Sequence, residues 1–142
     1  LVLINDKKYF FDVEQTPLLA NKKAINFFPV PIMTFNNDDP VKLGDFELIK
    51  ALRFVNKSKT MHNELYENLS EVKYQNNNLS LITDELTKID LGDDEPIYKI
   101  SILKEFQNTL QNKRSLNDYS YINLKIGTQI VVRERNRIRK KL

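Results

Sequence analysis

Few residues in this 142-residue chain are of the types that do chemistry, and their spacing decides little in favour of catalysis. His62 is the only histidine, and there is no cysteine. Disulfides, zinc–thiolate sites and cysteine nucleophiles are therefore excluded, and one imidazole alone makes no metal site of the usual kind. His62 reads as a solvated helix residue. Two acidic groups, NNDDP at 36–40 and GDDEP at 92–96, offer oxygen ligands for a cation, but neither has the spacing of a calcium loop. Both precede helical patterns, where carboxylates favour the positive end of the dipole, so the expected role is capping. Ser58, Ser70, Ser80, Ser101, Ser115 and Ser120 lie outside any nucleophile-elbow context. Three glycines cannot supply a Gly-rich phosphate loop, and no pair of carboxylates stands out for acid–base work. The expectation is a non-enzymatic chain with no cofactor and no metal.

The remaining chemical feature is the basic run RERNRIRKK at 133–141. It reads as a charged continuation of the last strand, as a disordered tail, or as a contact for acidic lipid, cell-wall polymer or nucleic acid. Residues 133–142 hold six Lys/Arg and one Glu, so the formal +3 of the whole chain leaves −2 for the rest. The basic charge belongs to the tail. A nucleic-acid protein would spread it over a folded face, so no nucleic-acid partner is expected.

Hydrophobic patterning sets the elements that carry these residues. Leu1–Asn5 and Tyr9–Val13 flank a polar Asp6-Lys7-Lys8 turn and suggest a hairpin. Thr16–Ala24 has no period and reads as loop. Phe27–Phe35 is apolar but contains Pro29 and Pro31, which points to an edge strand or a packed extended segment. A helix follows, with Phe46, Ile49, Leu52 and Val55 on one face and Asp45 as its N-cap. A short helix within Thr60–Leu69 would turn Leu65, Tyr66 and Leu69 inward. Three strands are expected at Glu71–Gln75, Leu79–Asp84 and Thr87–Leu91, with the asparagines at 76–78 in the first turn. Pro96 suits a first helical turn, and Ile100, Leu103, Phe106 and Leu110 form one apolar stripe after it. A last hairpin would run through Ile122, Leu124 and Ile126, turn at Gly127-Thr128, and return along Gln129–Asn136.

Helices that cluster between runs of strands imply α+β: a mostly antiparallel sheet with two main helices packed on it and a C-terminal β-hairpin. The 41% hydrophobic and 29% charged composition is that of a folded globular chain, of a length suited to one domain. The expected division is a domain at 1–136 and a basic tail at 137–142. No stretch approaches eighteen apolar residues, so none reads as a membrane span. The start at LVLIN, without Met and already inside a β-type run, suggests a piece of a longer protein.

The order of motifs is more specific than any one residue. PVPIMTF precedes a helix; LSEVKY and LSLITDELTKIDLG follow; then come the helix KISILKEFQNTL and the hairpin YSYINLKIGTQIVV. This order resembles the extracytoplasmic β-domain of the bacterial cell-division family FtsQ, called DivIB in other bacteria. The matching elements are Ile89–Gly92, Lys99-Ile100, Ile122–Lys125 and Gln129–Glu134, with Asn123 where the family has Asp and Lys125 where it has Arg. The latter substitution keeps the charge and loses a bidentate contact.

The resemblance implies a non-enzymatic scaffold that holds the coiled-coil division proteins FtsB and FtsL and supports septum formation. It implies a cytoplasmic segment, a transmembrane anchor and a POTRA domain upstream. It places the chain on the extracytoplasmic face of the bacterial inner membrane, at the division septum. A segment of the FtsB-like partner would add alongside the last strand, with contacts at Lys125, Ile126, Thr128, Gln129 and Glu134. The alternative is an unrelated secreted or surface-attached interaction domain whose basic tail touches acidic lipid or cell-wall polymer.

Overall fold

The computed structural model describes residues 2–4, 7–12, 14, 16–21, 30–35, 46–92, 96–110, 114–126 and 129–135. These form β1 (Val2–Ile4), β2 (Lys7–Phe11), β3 (Pro17–Leu19), β4 (Ile32–Phe35), α1 (Phe46–Met61), α2 (Asn63–Asn68), β5 (Leu69–Gln75), β6 (Asn78–Thr83), β7 (Lys88–Gly92), α3 (Pro96–Thr109), a 3₁₀ turn (Leu116–Asp118), β8 (Tyr119–Asn123) and β9 (Val131–Glu134). The strands make one nine-stranded sheet in the order β3-β2-β1-β4-β5-β6-β7-β8-β9. Helices α1 and α3 pack against each other and on the sheet, giving an α+β fold that ends in a hairpin.

The sheet is mixed rather than mostly antiparallel throughout. The pairs β1–β4, β4–β5 and β7–β8 are parallel, and the other five are antiparallel. The reason lies in the connections. The α1–α2 segment carries the chain from β4 to β5, and α3 carries it from β7 to β8. A crossover helix returns the chain to the same end of the sheet, so the next strand runs parallel.

Three further expectations change. Pro17–Leu19 is a strand inside the stretch read as loop, paired with β2 through Phe10↔Leu18. Ile32–Phe35 is interior, between β1 and β5, and not at an edge. Pro31 precedes the strand, so it costs β4 no ladder donor, and Pro29 lies outside the described residues. On α1 the buried side chains are Leu48, Ala51, Leu52, Phe54, Val55 and Ser58, while Phe46 is exposed. Phe46 and Ile49 follow the helical period, yet the core takes the neighbouring stripe centred on Leu48, Leu52 and Val55. The Asp45 cap, the 36–40 and 93–95 acidic residues and the 137–142 tail lie outside the described residues.

Lys7 and Lys8, read as turn, belong to β2, and Asn78 opens β6; the other central strands and helices follow the patterning. Leu81, Ile89, Leu91 and Ile122 of the sheet meet Phe54, Ile100 and Leu103 of the helices in one core. The β5–β6 hairpin closes through Asn76 and Asn77, at φ of 52° and 54°. Two successive positive φ values make the primed turn that matches strand twist, and Asn tolerates them better than most residues.

Candidate functional site at the β8–β9 edge

Among the described residues no three His, Asp or Glu side chains gather as metal ligands would. His62 is not solvated: it is 6% exposed, in the junction between α1 and α2. Its Nε2 and the Gln107 Oε1 are both buried without a hydrogen bond of ordinary geometry. Burial pushes the imidazole below its usual 6.5; Gln107 and Glu64 oppose that shift, and Lys104 adds to it. A depressed folded-state value means that the unfolded chain takes up the proton first. This contribution to stability is therefore present above the unfolded value and lost as pH falls. Acidification from about pH 7.5 to about pH 5.5 should lower the melting temperature of the native chain more than that of His62→Gln. Equal slopes for the two proteins would exclude His62 as the source.

The C-terminal hairpin is where residues meet with a consequence for binding. Parallel pairing with β7 sets β8, in the register Ile89↔Ile122 and Asp90↔Asn123. Ile122 and Leu124 are fully buried beneath it. The Leu124 amide donates to the Asp90 carbonyl at 2.8 Å, and its own carbonyl accepts the buried Lys99 ammonium. Lys99 thus ties the start of α3 to the end of β8. The Thr87 hydroxyl donates to the Tyr119 carbonyl at 2.8 Å, which fixes the other end of the strand.

Asp90 organises the outer face. Its carboxylate, 4% exposed, accepts from Asn78 Nδ2 at 3.0 Å and from the Tyr121 hydroxyl at 2.5 Å. Lys125 Nζ lies 4.0 Å from the same carboxylate. Burial and the Asp90 contact push the Tyr121 phenol up to about 12, so it stays a donor at neutral pH. Arg133 lies over the Tyr121 ring at 6.0 Å from its centroid.

Strand β9 pairs only with β8 and ends the sheet. All four of its residues are exposed. It is held from inside by Arg135, which donates to the Asn117 carbonyl at 3.2 Å, to Thr87 Oγ1 at 3.2 Å and to the Tyr119 carbonyl at 3.3 Å. This arginine, read from the sequence as part of a charged run, is a half-buried pin. Arg114 and Glu134 form an ion pair beside it.

The direction of the β9 backbone follows from two hydrogen bonds, one register pair and the period of a strand. The Arg135 amide donates to the Asp118 carbonyl, the Ser120 hydroxyl donates to the Arg133 carbonyl, and Tyr121 is the register partner of Arg133. Arg133 and Arg135 thus point their backbone groups at β8. By alternation Val131 does the same, and Val132 and Glu134 present N–H and C=O to the open side.

The opposite edge is closed differently. The Ala20 amide donates to the Lys8 carbonyl, and the Asp12 amide to the Thr16 carbonyl. Thr16, Leu18 and Ala20 therefore face β2, and Pro17 and Leu19 face out. Proline at an outward position removes a donor, a common way to blunt an edge. Of the two edges, β9 alone keeps both outward donors in its strand.

Of the residues expected at a partner contact, Lys125, Ile126, Gln129 and Glu134 cluster at this hairpin, and Thr128 lies outside the described residues. Ile126 is 55% exposed, not turned into the core as its alternation with Leu124 suggested. The Gln129 amide donates to the Ile126 carbonyl at 3.1 Å, and the expected Gly127-Thr128 turn lies outside the described residues. The ladder begins at Asn123↔Val131, one residue out of step with a simple two-residue hairpin. β8 itself ends at Asn123, so strand alternation no longer governs Ile126. Sequence reasoning passed over Asp90, Tyr121 and Arg135, and took Lys99 only as a motif position. Only Lys99, charged and adjacent to the apolar stripe of α3, gave a local signal. No known family profile matches this chain, and no curated protein is significantly similar to it.

Proposed function

We propose that the chain is a non-enzymatic scaffold domain of the bacterial divisome that binds an FtsB-like partner by strand addition at β9, with FtsL-like protein in the same assembly. The observation that carries this reading is the edge where Val132 and Glu134 direct backbone donors and acceptors outward, without a partner among the described residues, from a strand pinned on its inner side by Arg135. An added strand takes up those groups, and alternating side chains supply selectivity. The β9 side chains suit such a role, since Val131 and Val132 remain 48% and 38% exposed. The element order β4-α1-α2-β5-β6-β7-α3-β8-β9 is compatible with the motif order that suggested the family. On this reading the parent protein is anchored upstream in the inner membrane, and this domain acts on its outer face at the septum. Among the described residues no helix is long and apolar enough to cross a membrane.

Amide hydrogen exchange tests the reading at single-residue resolution. Adding the C-terminal segment of the coiled-coil partner should slow exchange at Val132 and Glu134. The Arg133 amide, already bonded to β8, should change much less. Slowing confined to α1 or α3 would place the partner elsewhere.

A further inference from the structure

A groove runs between α1 and the start of α3, on the helical layer and away from the β9 edge. Its apolar walls are Phe46, Ile49 and Met61 on one side and Pro96, Ile97 and Tyr98 on the other, around a volume of about 540 Å³. Phe46 and Tyr98 stand 69% and 62% exposed across its mouth. Exposed apolar side chains that line one groove together, rather than stand singly, mark a candidate binding surface. The polar contributions come from Lys50, Arg53 and Ser101, so both charges on the groove are positive and no acidic side chain lines it among the described residues. The Lys50 ammonium lies 5.5 Å over the Phe46 ring, which draws positive charge onto the apolar wall.

We propose that this groove binds a single-chain anionic amphiphile of the free fatty acid type. The chain would lie along the apolar walls, and the carboxylate would meet the exposed Arg53. Shape favours one extended chain over a bulkier ligand. The α1 side of the groove runs from Phe46 to Met61, a rise of about 22 Å, so that wall is long relative to the volume enclosed, while the α3 side spans only Pro96 to Ser101. Size argues against a protein partner, because a stable protein interface needs roughly 20–30 residues a side and the volume is that of a small-molecule site. This inference is independent of the role proposed for β9.

Calorimetric titration of the chain with laurate, below the concentration at which it forms micelles, tests the proposal. Laurate should bind saturably with one site per chain. Dodecyl maltoside and dodecyltrimethylammonium, with the same tail and neutral or positive heads, should bind at least about tenfold more weakly. Arg53→Glu should weaken laurate by a similar factor, and Ser101→Trp should abolish binding by filling the groove. Both positions are exposed, so circular dichroism should show each variant folded. Equal binding of the three amphiphiles, absence of saturation, or full laurate binding by folded Ser101→Trp would overturn the proposal. So would capture of an acidic amphipathic peptide without laurate binding, or self-association that Ser101→Trp removes.

Discussion

Val132→Pro should abolish binding of the coiled-coil partner, with a loss of at least about tenfold, while the domain stays folded. The Val132 N–H faces the open side of β9, so proline there removes a donor that no described residue of the chain takes up. Its ring also obstructs the approaching strand. The neighbouring Val131→Pro should behave in the opposite way. Val131 is the register partner of Asn123, and its N–H points at β8. Proline there breaks the intramolecular ladder and should lower the melting temperature of the unbound domain. Circular dichroism and partner titration on both variants separate the two effects. Val132→Thr, which keeps the β-branch and the amide, should retain binding. A folded Val132→Pro that binds at full strength would remove strand addition and leave a side-chain surface around Lys125 and Ile126 as the contact.

Leu103→Ala should destabilise the domain by about 2–5 kcal/mol, because Leu103 is fully buried where α3 covers the sheet. Phe106→Ala should cost less than a fully buried phenylalanine would. That ring is half-buried, and its contact with Tyr119, 5.9 Å between centroids, lies towards the rim. Glu105→Ala, on the solvent side of the same turn, should stay within about 0.5 kcal/mol of neutral. Urea unfolding of the three variants measures the series. Similar losses at all three positions would mean that α3 presents a different face to the core.

The phase of α3 was legible in the sequence from the spacing of Ile100 and Leu103, which reach the core. The same helix carries a second apolar group, Ile97 and Tyr98, which the stripe left unassigned and which faces the groove beside α1. The β5–β6 hairpin was legible because a run of asparagines between two alternating segments has few other uses. On α1 two apolar stripes overlap. Periodicity cannot say which of Phe46–Ile49 and Leu48–Phe54 the sheet will cover, and packing against β5 and α3 chose the second.

What the sequence by itself determined, then, is local: the existence and kind of nearly every element, the absence of cysteine chemistry, and the concentration of basic charge at the end of the chain. Strand neighbours were decided only by the tertiary structure. Pairing such as Val2↔Met33 or Ile89↔Ile122 joins residues about thirty apart, and no local preference encodes which edge a strand will join. The same holds for the candidate site. Exposed backbone is common to every residue, so the value of Val132 and Glu134 lies in being last in the sheet. Arg135 looked like one more charge in a basic run until Thr87, Asn117 and Tyr119 were folded around it. Long-range packing creates both the open edge and the pin that holds it, because each depends on where distant segments come to rest.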